Sequence, residues 1–244
     1  MTTSNLPLYA IQFAYESGNY EKNLSLLKEL LQKTKEGSFI VAPELCLTHF
    51  SFDKMQKAAD FGKKALPEII KLSKNRLISF TLTEEKNGYF YNSAKIIHNQ
   101  KIIHSQTKHK LFKFGFEDKY FKEGKKEDIK IIEAEGLKIA LLICFEIRFI
   151  DLWKKIQGAD IILIPALWGK LRKEQFESIT KALAIINQAF VIAANSANPD
   201  MAKSSGIITP FGKEYRDDNA LLISHNADLN EIKKMRRYMD IGLL

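Results

Sequence analysis

Apolar runs of strand length alternate along this chain with segments whose apolar residues recur every three or four positions, a pattern that dictates an α/β fold. Residues 8–13 read as a buried strand, and residues 20–32 follow with Leu24, Leu26, Leu27, Leu30 and Leu31 at helical spacing among Lys and Glu. Residues 38–43 form the next strand and 53–72 the next helix, with Asp53 as its N-cap and Pro67 as a break or kink. Residues 76–83 then open a meander: Asn87-Gly88 turns into 89–98, and Asn99-Gln100 turns into 101–106. Past a loop rich in Lys and Phe, residues 129–133 and 137–143 make a hairpin around Glu135-Gly136. A short amphipathic helix carries Phe149, Leu152, Trp153 and Ile156 ahead of an apolar strand at 161–165. A long helix at 173–188, a strand at 189–195, a last sheet segment from 206–209 with 221–224, and a basic helix at 228–238 complete the reading. Hairpins embedded in this alternation predict two sheets packed face to face with helices outside, a four-layer α-β-β-α sandwich. With no Pro-, Gly- or Ser-rich tract dividing the 244 residues, one domain spanning 1–244 is expected.

Composition removes several classes of function. The chain is 45% hydrophobic and 27% charged, the balance of a globular protein. Its net charge of +8 raises the question of nucleic acid, but the Lys residues are scattered on presumed helix faces without an Arg-rich stripe or a binding motif, so no nucleic-acid partner is expected. The apolar runs fall well below the roughly 20 residues needed to cross a bilayer, so no membrane partner is expected either. The N-terminus lacks basic residues ahead of its first, brief apolar run, and Cys46 and Cys144 stand alone in apolar surroundings; both features suit a cytoplasmic protein without disulfides. No His or Cys spacing suggests zinc.

Three residues at predicted strand ends carry chemistry. Cys144 closes an apolar strand where the pattern changes to helix, a turn that exposes a nucleophile and directs backbone N–H groups toward an oxyanion or a thiolate. Glu44 ends the second strand in Val41-Ala42-Pro43-Glu44-Leu45, where a carboxylate on a hydrophobic run is costly unless paired or used. Lys108 lies in Thr107-Lys108-His109-Lys110-Leu111-Phe112, just past the end of the meander. Taken singly, these are also a small buried hydrophobe, a solvated strand end and an exposed basic loop. Together they supply the nucleophile, proton acceptor and cation of an amide hydrolase.

The segment Ile143-Cys144-Phe145-Glu146-Ile147-Arg148-Phe149 resembles the nucleophile signature of the nitrilase-like carbon–nitrogen hydrolases. Pro43-Glu44-Leu45 and Lys108 with Leu111 resemble that family's Glu and Lys sites, in the same chain order. Similar stretches continue through Gly158-Ala159-Asp160, Pro165-Ala166-Leu167-Trp168, Ala184 to Gln188, Ala194-Asn195, Ser205-Gly206 and Pro210-Phe211-Gly212. The resemblance implies an α-β-β-α sandwich assembled as a homodimer or larger homo-oligomer, a small-molecule amide or N-carbamoyl substrate, a Cys thioester intermediate, and no metal or organic cofactor. It also implies a second glutamate after the Lys, for which Glu117 in Phe114-Gly115-Phe116-Glu117 is the candidate. Phe145 and Trp168 are candidate substrate-binding residues.

Departures from the family pattern fall at identifiable places. Lys110 stands where a His commonly follows the catalytic Lys, which makes Lys110 a second candidate for that role; His49-Phe50 replaces a Gly-Tyr after the Glu site; Leu183 and Ile186 replace an ion pair in the long helix. Cys46 has no counterpart and reads as packing. An acyltransferase using the same thioester, and an inactive oligomeric scaffold, are the alternative functions.

Overall fold

The central strands are buried on both faces because each carries two apolar stripes with different neighbours. In the computed structural model, which describes residues 5–243, strand β1 (Asn5–Ile11) packs Leu8 and Ala10 with the second sheet and Tyr9 and Ile11 with helices. Strand β2 (Ser38–Val41) repeats the division, with Phe39 and Val41 between the sheets and Ile40 under the helices. Helices α1 (Tyr20–Gln32) and α2 (Met55–Leu72) are the crossovers that keep β1, β2 and β3 (Arg76–Lys86) parallel. They cover the outer face with Leu24, Leu27, Ala58, Ala65 and Ile69.

The second sheet is built the same way. Strands β7 (Leu137–Leu141), β8 (Ile161–Pro165) and β9 (Phe190–Ala194) run parallel, joined by α4 (Ile150–Lys155) and α5 (Lys173–Asn187). Antiparallel strands extend both sheets: β4 (Tyr89–His98), β5 (Lys101–Thr107) and β12 (Leu222–Asp228) the first, β6 (Ile132–Ala134), β10 (Gly206–Ile208) and β11 (Glu214–Arg216) the second. The orders are β12-β1-β2-β3-β4-β5 and β11-β10-β9-β8-β7-β6, six strands each. The tight β3–β4 turn is made by Asn87 and Gly88, both at positive φ, as a type I′ hairpin demands. Remaining helices are the short α3 (Glu117–Tyr120) and the terminal α6 (Asn230–Tyr238). The result is the expected α-β-β-α sandwich, and no described helix is long and apolar enough to cross a membrane.

Three local expectations are corrected. Asp53 does not cap α2: it lies in a 3₁₀ turn over Phe52–Lys54, and the helix begins at Met55 without a side-chain cap. Pro67 does not interrupt α2, which runs on to Leu72. The missing N–H is outweighed by the stripe of Ala58, Phe61, Ala65 and Ile69 packed beneath the first sheet. Residues 222–228 do not join 206–209 in one sheet segment; β12 pairs antiparallel with β1 in the first sheet, while β10 pairs with β9 and β11 in the second.

One feature of β3 positions the site. Its stripe between the sheets begins apolar at Leu77 and becomes polar at Ser79, Thr81 and Thr83, all buried. The interior is therefore polar toward the end where β2, β5, β7 and β8 all finish.

Candidate active site

Glu44, Lys108 and Cys144 each stand just past a strand at that end. Glu44 follows β2, and its turn is anchored by the Leu45 N–H, which donates to Thr81 Oγ1 at 2.7 Å, and by its own N–H, which donates to Ala166 O at 3.1 Å. Lys108 follows β5, with its N–H on Asn92 O and its carbonyl accepting from Gly124 N, each at 2.8 Å. Cys144 opens a 3₁₀ turn (Cys144–Arg148) at φ +48°, the left-handed region that a non-glycine residue rarely adopts. Its sulfur accepts the N–H of Leu167, past the end of β8, at 3.4 Å.

The side chains of Glu44, Lys108 and Glu117 meet in one buried cluster. Lys108 Nζ donates to Glu44 Oε1 and to Glu117 Oε1, both at 2.7 Å, and all three side chains are 4% exposed or less. Asn92 Nδ2 adds a 2.8 Å hydrogen bond to Glu44 Oε1, and Phe112 N–H donates to Glu117 Oε2 at 3.1 Å. Glu44 Oε2 is buried without a hydrogen-bond partner. Phe50 walls the cluster, its ring centre 6.0 Å from Lys108 Nζ.

Burial and neighbouring charges shift the pKa of Lys108, Glu117 and Cys144. Burial opposes the Lys108 ammonium, but Glu44, Glu117 and Cys144 outweigh it and hold its pKa above the ordinary lysine value. Burial and the neighbouring Glu44 raise Glu117, against the pull of Lys108. Burial likewise pushes the Cys144 thiol well above its ordinary value; Glu44 adds to this, while Lys108 and the Leu167 N–H oppose it. Desolvation of the buried sulfur thus opposes the thiolate that the N–H groups of the turn favour. Glu146 is fully buried and raised to about 7 by that burial, while the Ile143 and His109 N–H groups it accepts pull the other way.

Other sequence candidates separate clearly. Lys110 points away from the carboxylates, its Nζ 5.2 Å from the centre of the Phe149 ring. Phe145 is half-buried beside Phe112, ring centres 5.1 Å apart. Trp168 is buried, its backbone N–H on Asn195 Oδ1 and its indole stacked beneath the Arg148 guanidinium at 4.7 Å. His49 stacks on Tyr15 at 4.3 Å in the turn after Glu44. Leu183 is buried and Ile186 exposed, so the helix offers no ion pair at these positions. Cys46 is buried, and that burial pushes its thiol up to about 12. Asn92 was not singled out from the sequence; its signal is an amide in the inward register of β4, in line with Ala94 and Ile96.

The sequence profile described as carbon-nitrogen hydrolase matches residues 10–237. The chain belongs to the carbon–nitrogen hydrolase family. Among curated relatives of this hydrolase, the 2-oxoglutaramate amidase of Bacillus subtilis is 28% identical over 95% of the chain and 94% of its own length. The deaminated glutathione amidase of Escherichia coli O157:H7 is 26% identical over 82% of the chain and 81% of its own length. Among solved structures, a carbon–nitrogen hydrolase superfamily protein from Xanthomonas campestris superposes with a TM-score of 0.86 at 18% identity, covering 96% of this chain and 95% of that one. The fold is therefore that of the nitrilase superfamily, and the chain is a carbon–nitrogen hydrolase.

Proposed function

We propose that this hydrolase cleaves the terminal amide of a small carboxylate-bearing molecule through a thioester on Cys144. The observation that carries this reading is the buried Glu44–Lys108–Glu117 cluster, whose charges act on Cys144. Glu44 keeps one oxygen engaged by Lys108 and Asn92 and the other free, which suits it to accept the thiol proton as sulfur attacks the amide carbon. The carbonyl oxygen then carries the charge, and Lys108 Nζ with the Phe145 N–H stabilises it. Glu44 returns the proton to nitrogen, the C–N bond breaks, and ammonia or an amine leaves a thioester. Water attacks the thioester carbon, giving up its proton to Glu44, while Glu117 holds Lys108 and orients the amide; the acid departs and the thiol is restored.

The carboxylate is supported by two arginines, Arg148 at the end of the turn that Cys144 opens and Arg172 across Phe112 from Phe145. Arg148 lies over Trp168, and Arg172 lies 5.3 Å from the centre of the Phe112 ring that packs on Phe145. Planar guanidiniums held by aromatic faces suit bidentate carboxylate binding. Phe145 and Trp168 would then line the pocket between them. The amidases named above suggest the same class of substrate, a small amide that also bears an acid.

A cytoplasmic homodimer or larger homo-oligomer of a single-domain chain completes the reading. Ile185 and Ile186 of α5, and Phe211 in the turn between β10 and β11, expose apolar side chains, and a second copy of this face would cover them.

The test is ammonia release from a panel of ω-amido acids, N-carbamoyl acids and neutral amides, comparing wild type with Cys144→Ala. Release from the ω-amido acids that vanishes in the variant supports the proposal. Undiminished release in the variant removes it, and acyl capture by an added amine much faster than by water indicates an acyltransferase instead.

A further inference from the structure

Lys108 and Cys144 stand on different sheets, Lys108 past β5 of the first and Cys144 past β7 of the second. The distance from ammonium to sulfur is therefore set by how the sheets sit against each other, and apolar packing between sheets is non-directional. One side chain bridges the two loops. Glu146 Oε1 accepts the N–H of His109 at 2.6 Å, and Glu146 Oε2 accepts the N–H of Ile143 at 2.7 Å. His109 is the residue after Lys108, and Ile143 is the residue before Cys144.

Nothing in the proposed chemistry uses this carboxyl group, yet it is wholly buried. Burying such a group costs several kcal/mol unless its oxygens are occupied, so an apolar residue would be the cheaper occupant if packing were its only task. The two oxygens are each spent on one backbone N–H, and those two N–H groups flank the two reacting side chains. The Lys108 loop is further tied down by Gly124, whose carbonyl accepts from His109 Nδ1 at 3.0 Å.

We propose that Glu146 is a positioning residue whose two oxygens tie the peptide after Lys108 to the peptide before Cys144, fixing ammonium and sulfur in register across the two sheets. The inference rests on the roles given above to Lys108 and Cys144. Glutamine cannot replace Glu146, since its amide has a single acceptor oxygen and turns an NH₂ against the second N–H. Aspartate keeps both acceptor oxygens but is one methylene too short to hold both donors.

Steady-state kinetics on Glu146→Gln and Glu146→Asp test this with whichever amide the wild type hydrolyses. A misplacement near 1 Å costs about 100-fold, so kcat falls by that order in both variants while KM stays within about threefold. A purely electrostatic role leaves Glu146→Asp at wild-type kcat, and a purely packing role leaves folded Glu146→Gln there; either result overturns the proposal. Should Glu146→Gln not fold, Glu146→Asp decides, and hydrogen exchange in wild type adds a second measurement. The His109 and Ile143 amides are expected to exchange with equal protection, as two ends of one clamp, and free exchange at either overturns it. Hydrolysis that survives Cys144→Ala instead refutes the functional reading beneath it, and is distinguishable because it leaves these variants' parent reaction without the thiol.

Discussion

Lys108 Nζ binds one oxygen of Glu44 at 2.7 Å, and the other oxygen of that carboxylate is buried with no partner. A carboxylate held by one oxygen and open at the other is oriented yet still able to take a proton. Its desolvated second oxygen is a stronger acceptor than a solvated one.

Replacement of Glu44 by Gln keeps the shape and the Asn92 side of the network but removes the proposed proton acceptor. General-base catalysis contributes about 100- to 10,000-fold, so kcat falls within that range. Steady-state ammonia release checks this, and a loss below tenfold would assign the base elsewhere.

Lys108→Met separates catalysis from stability. It removes the proposed oxyanion donor, whose loss is expected to cost about 100- to 1000-fold in kcat, and leaves Glu44 and Glu117 buried without their cation. Breaking a buried pair in this way costs about 3–5 kcal/mol, measurable by urea unfolding. Adding Glu117→Gln removes one uncompensated charge and is expected to restore part of the stability and none of the activity.

The pH dependence of stability follows from Glu146, whose carboxyl is raised from 4.5 to about 7 by burial. The unfolded chain releases this proton near pH 4.5 and the folded chain near about 7. Stability from the neutral group is therefore complete below 4.5 and is lost as the pH rises through about 7. The groups facing it are Lys108, whose charge favours the carboxylate, and the backbone amides of Ile143, His109 and Lys110. At about 1.4 kcal/mol per unit, the wild type loses about 3 kcal/mol relative to Glu146→Gln across this window. Urea melts of both proteins on either side of the window check it, and a constant gap contradicts the assignment.

Gly124 tests the backbone that carries Lys108. A Cβ at this position would lie 2.2 Å from the carbonyl oxygen of Thr107, far inside contact distance, so the chain must move. Gly124→Ala displaces the Lys108 loop and is expected to lower kcat by about 100-fold, the cost of a 1 Å error, although residue 124 touches no reacting atom. Unchanged kinetics would show the loop to be held elsewhere.

Much of this architecture was legible because its signals are local. Fully apolar strands such as Ile161–Pro165, the helical stripe of Tyr20–Gln32 and the Asn87-Gly88 turn each encode their own conformation. Pairing of β12 with β1 was not, since its register joins residues more than two hundred positions apart and no local pattern selects that partner. The same division holds at the site. Glu44, Lys108 and Cys144 announce themselves as polar residues ending apolar strands, whereas Asn92 and Glu146 draw their meaning from what lies across the cluster. The electrostatics of Cys144 divide in the same way: a helical turn is visible in sequence, and the desolvation that opposes it is not.

Intact-mass spectrometry of quenched reactions, followed by peptide mapping, tests the central claim most directly. Wild type mixed with an ω-amido acid is expected to carry one acyl group on the peptide containing Cys144, labile to hydroxylamine, and Cys144→Ala is expected to carry none. Turnover with no acyl adduct at any quench time, or an adduct on Cys46, would contradict the account.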